Sequence, residues 1–380
     1  MSPRDFHRLL RVAPAVGMFC LALPALGGDP DYAWRYYRPT NTGIQGDDCD
    51  AIWIGPDGDP WIGGYSPGFE EGGIAKLVQS EERWINISNV DYQVIGHPDD
   101  TGVTRVSDIV AAPDGTLWMG TGRGALTFNP AIGPSSLARY TAANSGLPGG
   151  WVTDVELAPD GTLWFSAYGT SWGAGGLRRF NPLTHVWTSF AGFGDGRVSI
   201  QPKTGGGYYA WATKTSTGQI ARWDSATQTW TSFTVVLNAP WSLVGKACTD
   251  AAGNTWMYRL TGPSFALTTL DCRRPDGTWI GPPVPPLAAM TPQIWAFRAF
   301  GERQALLADG NSRIWRFDGT AWSDLGIWRP GAYTEDLGID AAGNVWACGI
   351  EGAAKRDART GLWQRYRVTN TSQYDFFNDD

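Results

Sequence analysis

A five-residue phrase, Asp-Gly-Thr-Leu-Trp, stands at 114–118 and again at 160–164, and looser copies run through the chain. Asp57-Gly58-Asp59-Pro60-Trp61, Ala252-Gly253-Asn254-Thr255-Trp256 and Ala342-Gly343-Asn344-Val345-Trp346 keep the turn followed by tryptophan. Recurrence at roughly 40–57 residues marks a chain assembled from supersecondary units, none of which buries its apolar face alone. A length of 380 residues would otherwise suggest two or three domains. A repeat running nearly from end to end implies one large closed domain instead.

Each unit reads as an alternating apolar strand, a Gly turn, a strand opening on Trp, a Gly-rich loop, a third strand, a turn and an aromatic fourth strand. In the second unit these are Val106–Val110, the turn Pro113-Asp114-Gly115, Leu117–Gly120, the loop with Gly122 and Gly124, and Leu126–Phe128. An Asp-Gly hairpin predicts positive φ at both central residues. The units fall at about 49–90, 106–142, 152–190, 196–234, 241–281, 294–325 and 334–368. The 49 Gly, 25 Pro and 21 Trp suit short strands and tight turns, and no segment has the pattern of a long amphipathic helix. The expectation is an all-β fold, a seven-bladed β-propeller of four-stranded antiparallel blades over 49–380. Trp34-Arg35-Tyr36-Tyr37-Arg38, in an N-terminal strand and linker over 28–48, mirrors Trp363-Gln364-Arg365-Tyr366-Arg367. One of the two should finish the seventh blade.

Residues 1–27 differ in character. Arg4, Arg8 and Arg11 precede an apolar run from Val12 to Leu26 that is closed by small residues. That is the pattern of a secretory signal peptide. It predicts a secreted or periplasmic monomer with no membrane insertion, the run being shorter than a spanning helix needs and broken by Pro14 and Pro24. Four cysteines then remain, Cys49, Cys248, Cys272 and Cys348, enough for two disulfides in an oxidising compartment. A Cys49–Cys348 bridge would latch the first unit to the last; buried free thiols are the alternative. The net charge of −7 and pI near 5.1 exclude a basic surface for nucleic acid.

The run Pro113-Asp114-Gly115-Thr116-Leu117-Trp118-Met119-Gly120-Thr121, the later Gly124-Ala125-Leu126-Thr127-Phe128-Asn129-Pro130 and Asn144-Ser145-Gly146-Leu147-Pro148 resemble the two-component regulator propeller repeat. That resemblance implies a seven-bladed sensor propeller, such as forms the periplasmic part of hybrid histidine kinases. Its implied role is extracytoplasmic ligand sensing or partner binding.

In a propeller the first strand of each blade lines a central channel. The turns between second and third strands share one face with the links between blades, and loops on a rigid scaffold are where ligands bind. The repeating Trp61, Trp118, Trp164, Trp256 and Trp346 are expected to pack blade on blade. Residues off the repeat are the ligand-binding candidates: Tyr65, Arg123, Trp151, Tyr168, Trp172, Trp241 and Glu351. Further charges on that face are Glu70, Glu71, Lys214 and Arg259, with Asp48 and Glu335 at blade links. The expected ligand is a small molecule, glycan or protein, bound without catalysis, cofactor or metal. The competing expectations are a lyase or hydrolase acting on carbohydrate through these loop carboxylates, or a scaffold for other proteins.

Overall fold

Seven antiparallel sheets arise directly from the repeat. The computed structural model describes residues 44, 48–66, 71–88, 105–169, 175–190, 196–203, 205–214, 219–234, 243–261, 266–287, 293–331 and 333–367. Apart from two 3₁₀ turns, Gln79–Glu81 and Pro134–Ser136, the regular structure of these residues is all strand. The innermost strands of blades one to four are Asp48–Ile54, Val106–Ala111, Val152–Leu157 and Gly196–Pro202. In blade five the strand is interrupted, Leu243–Val244 and Cys248–Thr249 both pairing with Thr255–Thr261. Ile294–Phe300 and Thr334–Ile339 complete the ring. Each blade runs outward in chain order, giving a seven-bladed β-propeller.

The turn after each inner strand corrects one expectation. Gly58, Gly115, Gly161, Gly253 and Gly343 have φ between +78° and +84°, but the residues before them, Asp57, Asp114, Asp160, Ala252 and Ala342, do not have positive φ. Gly115 N–H donates to Ala112 O at 2.9 Å and Ala112 N–H to Thr116 O at 2.8 Å. This is a type I turn closed by a left-handed Gly, the three-residue hairpin rather than the two-residue one. The aspartate serves instead as an acceptor for the residue two ahead, as Asp114 Oδ1 does for Thr116 N–H at 2.9 Å.

The tryptophan that follows each turn packs on the next blade. Trp118 lies with Val152, Phe165 and Phe180, Trp164 with Val198 and Tyr208, and Trp256 with Ala305 and Phe317. Trp346 closes the ring against Cys49, Ile52 and Trp84 of blade one. Their indole N–H groups find partners inside: Trp256 donates to Asp250 at 2.9 Å and Trp346 to Asp340 at 3.1 Å. Trp363–Tyr366 forms the outer strand of blade seven, so the last blade is built from one end of the chain. The mirrored segment 34–38 and the leader 1–27 lie outside the described residues.

Cys49, Cys248, Cys272 and Cys348 are all free thiols. Cys49 and Cys348 do meet in one apolar cluster at the seam of blades seven and one, as the buried free thiols of the alternative expectation and not as a bridge. The Asp48–Ile350 bridge and Ile52 N–H donating to Asp336 Oδ2 at 3.0 Å hold the seam.

Candidate functional site

Strand register decides which face carries the site. Asp48, at the start of the first inner strand, pairs with Tyr65 at the end of the second. The beginnings of the inner strands therefore share a face with the turns between second and third strands, and the Asp-Gly turns occupy the other. A cavity of about 250 Å³ lies where the inner strands of all seven blades converge, lined by residues that include Asp50, Asp108, Asp154, Lys246, Trp295 and Glu335.

A recurring irregularity sends these side chains inward. The inner strands of blades one, two, three, six and seven slip by one residue against their neighbours, leaving Asp50, Ser107, Thr153, Trp295 and Glu335 unpaired. A bulge breaks strict alternation and re-aims a side chain. Here it lets consecutive residues such as Ser107 and Asp108, or Glu335 and Asp336, both reach the cavity.

The residue after the bulge has a structural task. Asp108 Oδ2 accepts Val155 N–H of the next blade at 2.9 Å, and Asp154 Oδ2 accepts Val198 N–H at 3.2 Å. Asp336 does the same for Ile52 across the closing seam. At the seam of blades five and six a thiol takes this role, Cys248 Sγ accepting Ala299 N–H at 3.2 Å. Burial pushes that thiol up to about 12.

Lys246 crosses the channel. It sits in the break of the blade-five strand, after Gly245, where any Cβ would collide with the Tyr258 ring. Its ammonium lies 2.9 Å from Asp154, 3.4 Å from Glu156 and 3.8 Å from Asp108. Arg197 adds a second cation to Asp154 at 3.3 Å. Burial pushes Asp108 up to about 7 against the pull of Lys246. Burial also works to raise Asp154, but Lys246 and Arg197 outweigh it and hold that carboxyl below the usual range. Asp50 is pushed up to about 7 by burial, against the ion pair with Arg105 at 2.6 Å.

Of the residues singled out from sequence, Glu335 lines this cavity, and the others that are described are not among its lining residues. Trp151 and Tyr168 come together edge to face, ring centroids 6.0 Å apart, and Tyr168 N–H donates to Trp151 O at 2.8 Å. Arg105 lies over the Trp151 ring at 4.8 Å, which ties this pair to Asp50. Arg123 occupies the turn of blade two, beside the Gly124–Trp151 bridge. Glu351 is ion-paired with Arg329, and Arg259 is held by Asp271 at 3.0 Å. Tyr65 closes the second strand of blade one, its side chain outside the described residues, as are Glu70, Trp172 and Trp241 entirely. Among the described residues no group of three or more metal-ligating side chains is found. Asp57 and Asp59 of the first turn both face Lys76.

Sequence reasoning missed the exposed aromatic pair at the mouth. Trp295 and Tyr333 are 40% and 44% exposed, with ring centroids 4.5 Å apart at 68°. The signal was available. At the bulge where other blades carry Asp, Ser, Thr or Glu, blade six carries Trp295, but its repeat is the most worn.

Fold and site together define a closed seven-bladed propeller with a charged cavity at one channel mouth. No family model matches the sequence, and no curated protein matches it. Solved structures share the architecture. Virginiamycin B lyase from Staphylococcus aureus, as a catalytically inactive histidine-to-alanine variant with quinupristin, is 14% identical at a TM-score of 0.59, covering 84% of this chain and 96% of that one. The extracellular domain of the hybrid two component system protein BT3049 from B. thetaiotaomicron is 14% identical at 0.56, covering 84% of this chain and 41% of that one. YCF48 from Cyanidioschyzon merolae is 13% identical at 0.50, covering 88% and 98%. At such identities the likeness shows the fold alone.

Proposed function

We propose that this chain is an exported binding or sensing propeller that takes an extracytoplasmic ligand at the channel mouth and does not transform it. The carrying observation is the cavity itself, a polar recess on a rigid ring with the exposed Trp295 and Tyr333 beside it. Concave sites with a few placed polar groups and aromatic walls are where small ligands bind. Trp151 and Tyr168 extend the aromatic rim, and Tyr65, Arg123, Trp172, Trp241 and Glu351 are proposed to complete it from neighbouring loops. The motif resemblance and the likeness to the BT3049 extracellular domain support sensing outside the cytoplasm.

The lyase likeness is weighed down by chemistry. The inactive lyase variant lacks a histidine, whereas no histidine is among the described residues that line this cavity. His185 stands at a turn before an outer strand, with φ +57°. Three of the cavity's carboxylates are occupied in bonding the next blade's backbone.

A thermal-shift screen of the secreted protein against oligosaccharides, peptides and amines tests this proposal. A true ligand at 100 times its Kd stabilises by about 2.7 kcal/mol and is recovered chemically unchanged. Trp151→Ala with Tyr168→Ala should weaken it. Turnover of any hit, or full affinity in that double variant together with Trp295→Ala, would contradict the proposal.

A further inference from the structure

The charges around the cavity do not cancel evenly. Arg197 and Lys246 both serve Asp154, and Arg298 faces Asp336 at 3.5 Å. Asp50 is 8% exposed and is held through Oδ1 alone, while its buried Oδ2 has no hydrogen-bond partner. A buried acceptor without a partner is unfavourable, and a ligand donor would satisfy it. Glu335, exposed on the bulge of blade seven, takes part in no ion pair among the described residues. Uncompensated charge at this mouth is therefore negative, and it lies on the side where Trp295 and Tyr333 offer their rings.

An aromatic face beside a carboxylate is the arrangement that holds an organic cation. The ring quadrupole attracts the charge, and the carboxylate adds a charge-assisted contact. A bare metal ion would leave the rings unused, and a neutral sugar could hydrogen-bond Glu335 but would leave its negative charge unneutralised. The cavity of about 250 Å³ is smaller than the roughly 300–1,000 Å³ of clefts that bury drug-sized ligands. Size selects a small molecule over a polymer.

We propose that the channel mouth between blades six, seven and one binds a small organic ammonium ion, its charge toward Glu335 and Asp50 and its carbon skeleton on Trp295. This deepens, and rests on, the assignment of the mouth as a ligand site. Asp50 faces Arg105, Asp48, Glu335 and Cys348. A docked cation favours its ionised form, so affinity for a permanently charged ligand should rise between pH 6 and pH 8.

Isothermal titration with choline, with putrescine and with 3,3-dimethyl-1-butanol, the neutral isostere of choline, separates the outcomes. Binding of either amine at least tenfold tighter than the neutral alcohol is expected. Trp295→Ala should lower that affinity about tenfold and Glu335→Gln about fivefold, both folding with the parent melting temperature. Equal binding of the neutral alcohol or of glucose, lost in Trp295→Ala but kept in Glu335→Gln, overturns the ammonium class and leaves the site standing. Amine binding untouched by Trp295→Ala removes the site as well. Absence of binding by both amines at millimolar concentration overturns the proposal.

Discussion

At the residue scale, one aspartate organises the channel. Asp154 is 2% exposed and joins the Val198 backbone, Arg197 and Lys246 in one cluster. Removing it leaves the Val198 N–H without its acceptor and takes the ion-pair partner from Arg197, while Lys246 keeps Glu156 and Asp108, so the cost is about 1–3 kcal/mol. Asp154→Ala should show that loss in urea denaturation, while Asp114→Ala, at an exposed turn, should change stability by well under half as much. The cysteines carry a second prediction. Burial raises the Cys248 and Cys272 thiols to about 12 and pushes Cys348 well above the usual thiol value, and Cys49 is 2% exposed. Ellman's reagent at pH 8 should therefore find none of these four thiols in the native protein and all four after denaturation. Two fewer after denaturation would mean a disulfide.

At the scale of strands and turns, glycines separate two kinds of constraint. Gly115 has φ +82° with open space where a Cβ would go. Gly115→Ala should cost only the left-handed backbone penalty, about 1 kcal/mol. A Cβ on Gly349 would instead collide with the carbonyl oxygen of Tyr333. Gly349→Ala should both lower the melting temperature and weaken ligand binding by displacing Tyr333; an unchanged affinity would separate Tyr333 from the site. The same elements explain what the sequence made legible. Turn, Trp and Gly recur because each blade repeats one packing problem, so the fold class could be read from the recurrence of the turn and Trp seen at Asp114-Gly115 and Trp118. The cavity could not. Its lining depends on bulges at Asp50, Ser107, Trp295 and Glu335, and a bulge cancels the period-two alternation from which strand faces are read. Lys246 lay hidden likewise, in a strand break with no pattern of its own.

At the scale of the whole molecule, the channel makes stability depend on pH. Asp50 and Asp108 have folded pKa values raised from 3.8 to about 7, so between about pH 4 and pH 7 the folded state binds more protons than the unfolded chain. Stability contributed by these two groups is present below pH 4 and lost as pH rises through 7. Lowered carboxyls, such as Asp154, held down by Lys246 and Arg197 against its burial, and Asp318, drawn to about 2 by its turn hydrogen bonds, act oppositely. Their contribution is present above pH 4 and lost below it. Urea midpoints should therefore peak near pH 4–5 and fall toward pH 8, and Asp108→Asn should flatten that fall. The mouth gathers residues from every blade, so a ligand bound there would touch several seams at once. The most direct measurement is a crystal structure of the protein with the first ligand that raises its melting temperature. The ligand should lie unaltered against Trp295 and Glu335 at the channel mouth; a ligand on the face of the Asp-Gly turns or on the outer strands, or a cleaved product in the cavity, would contradict the account.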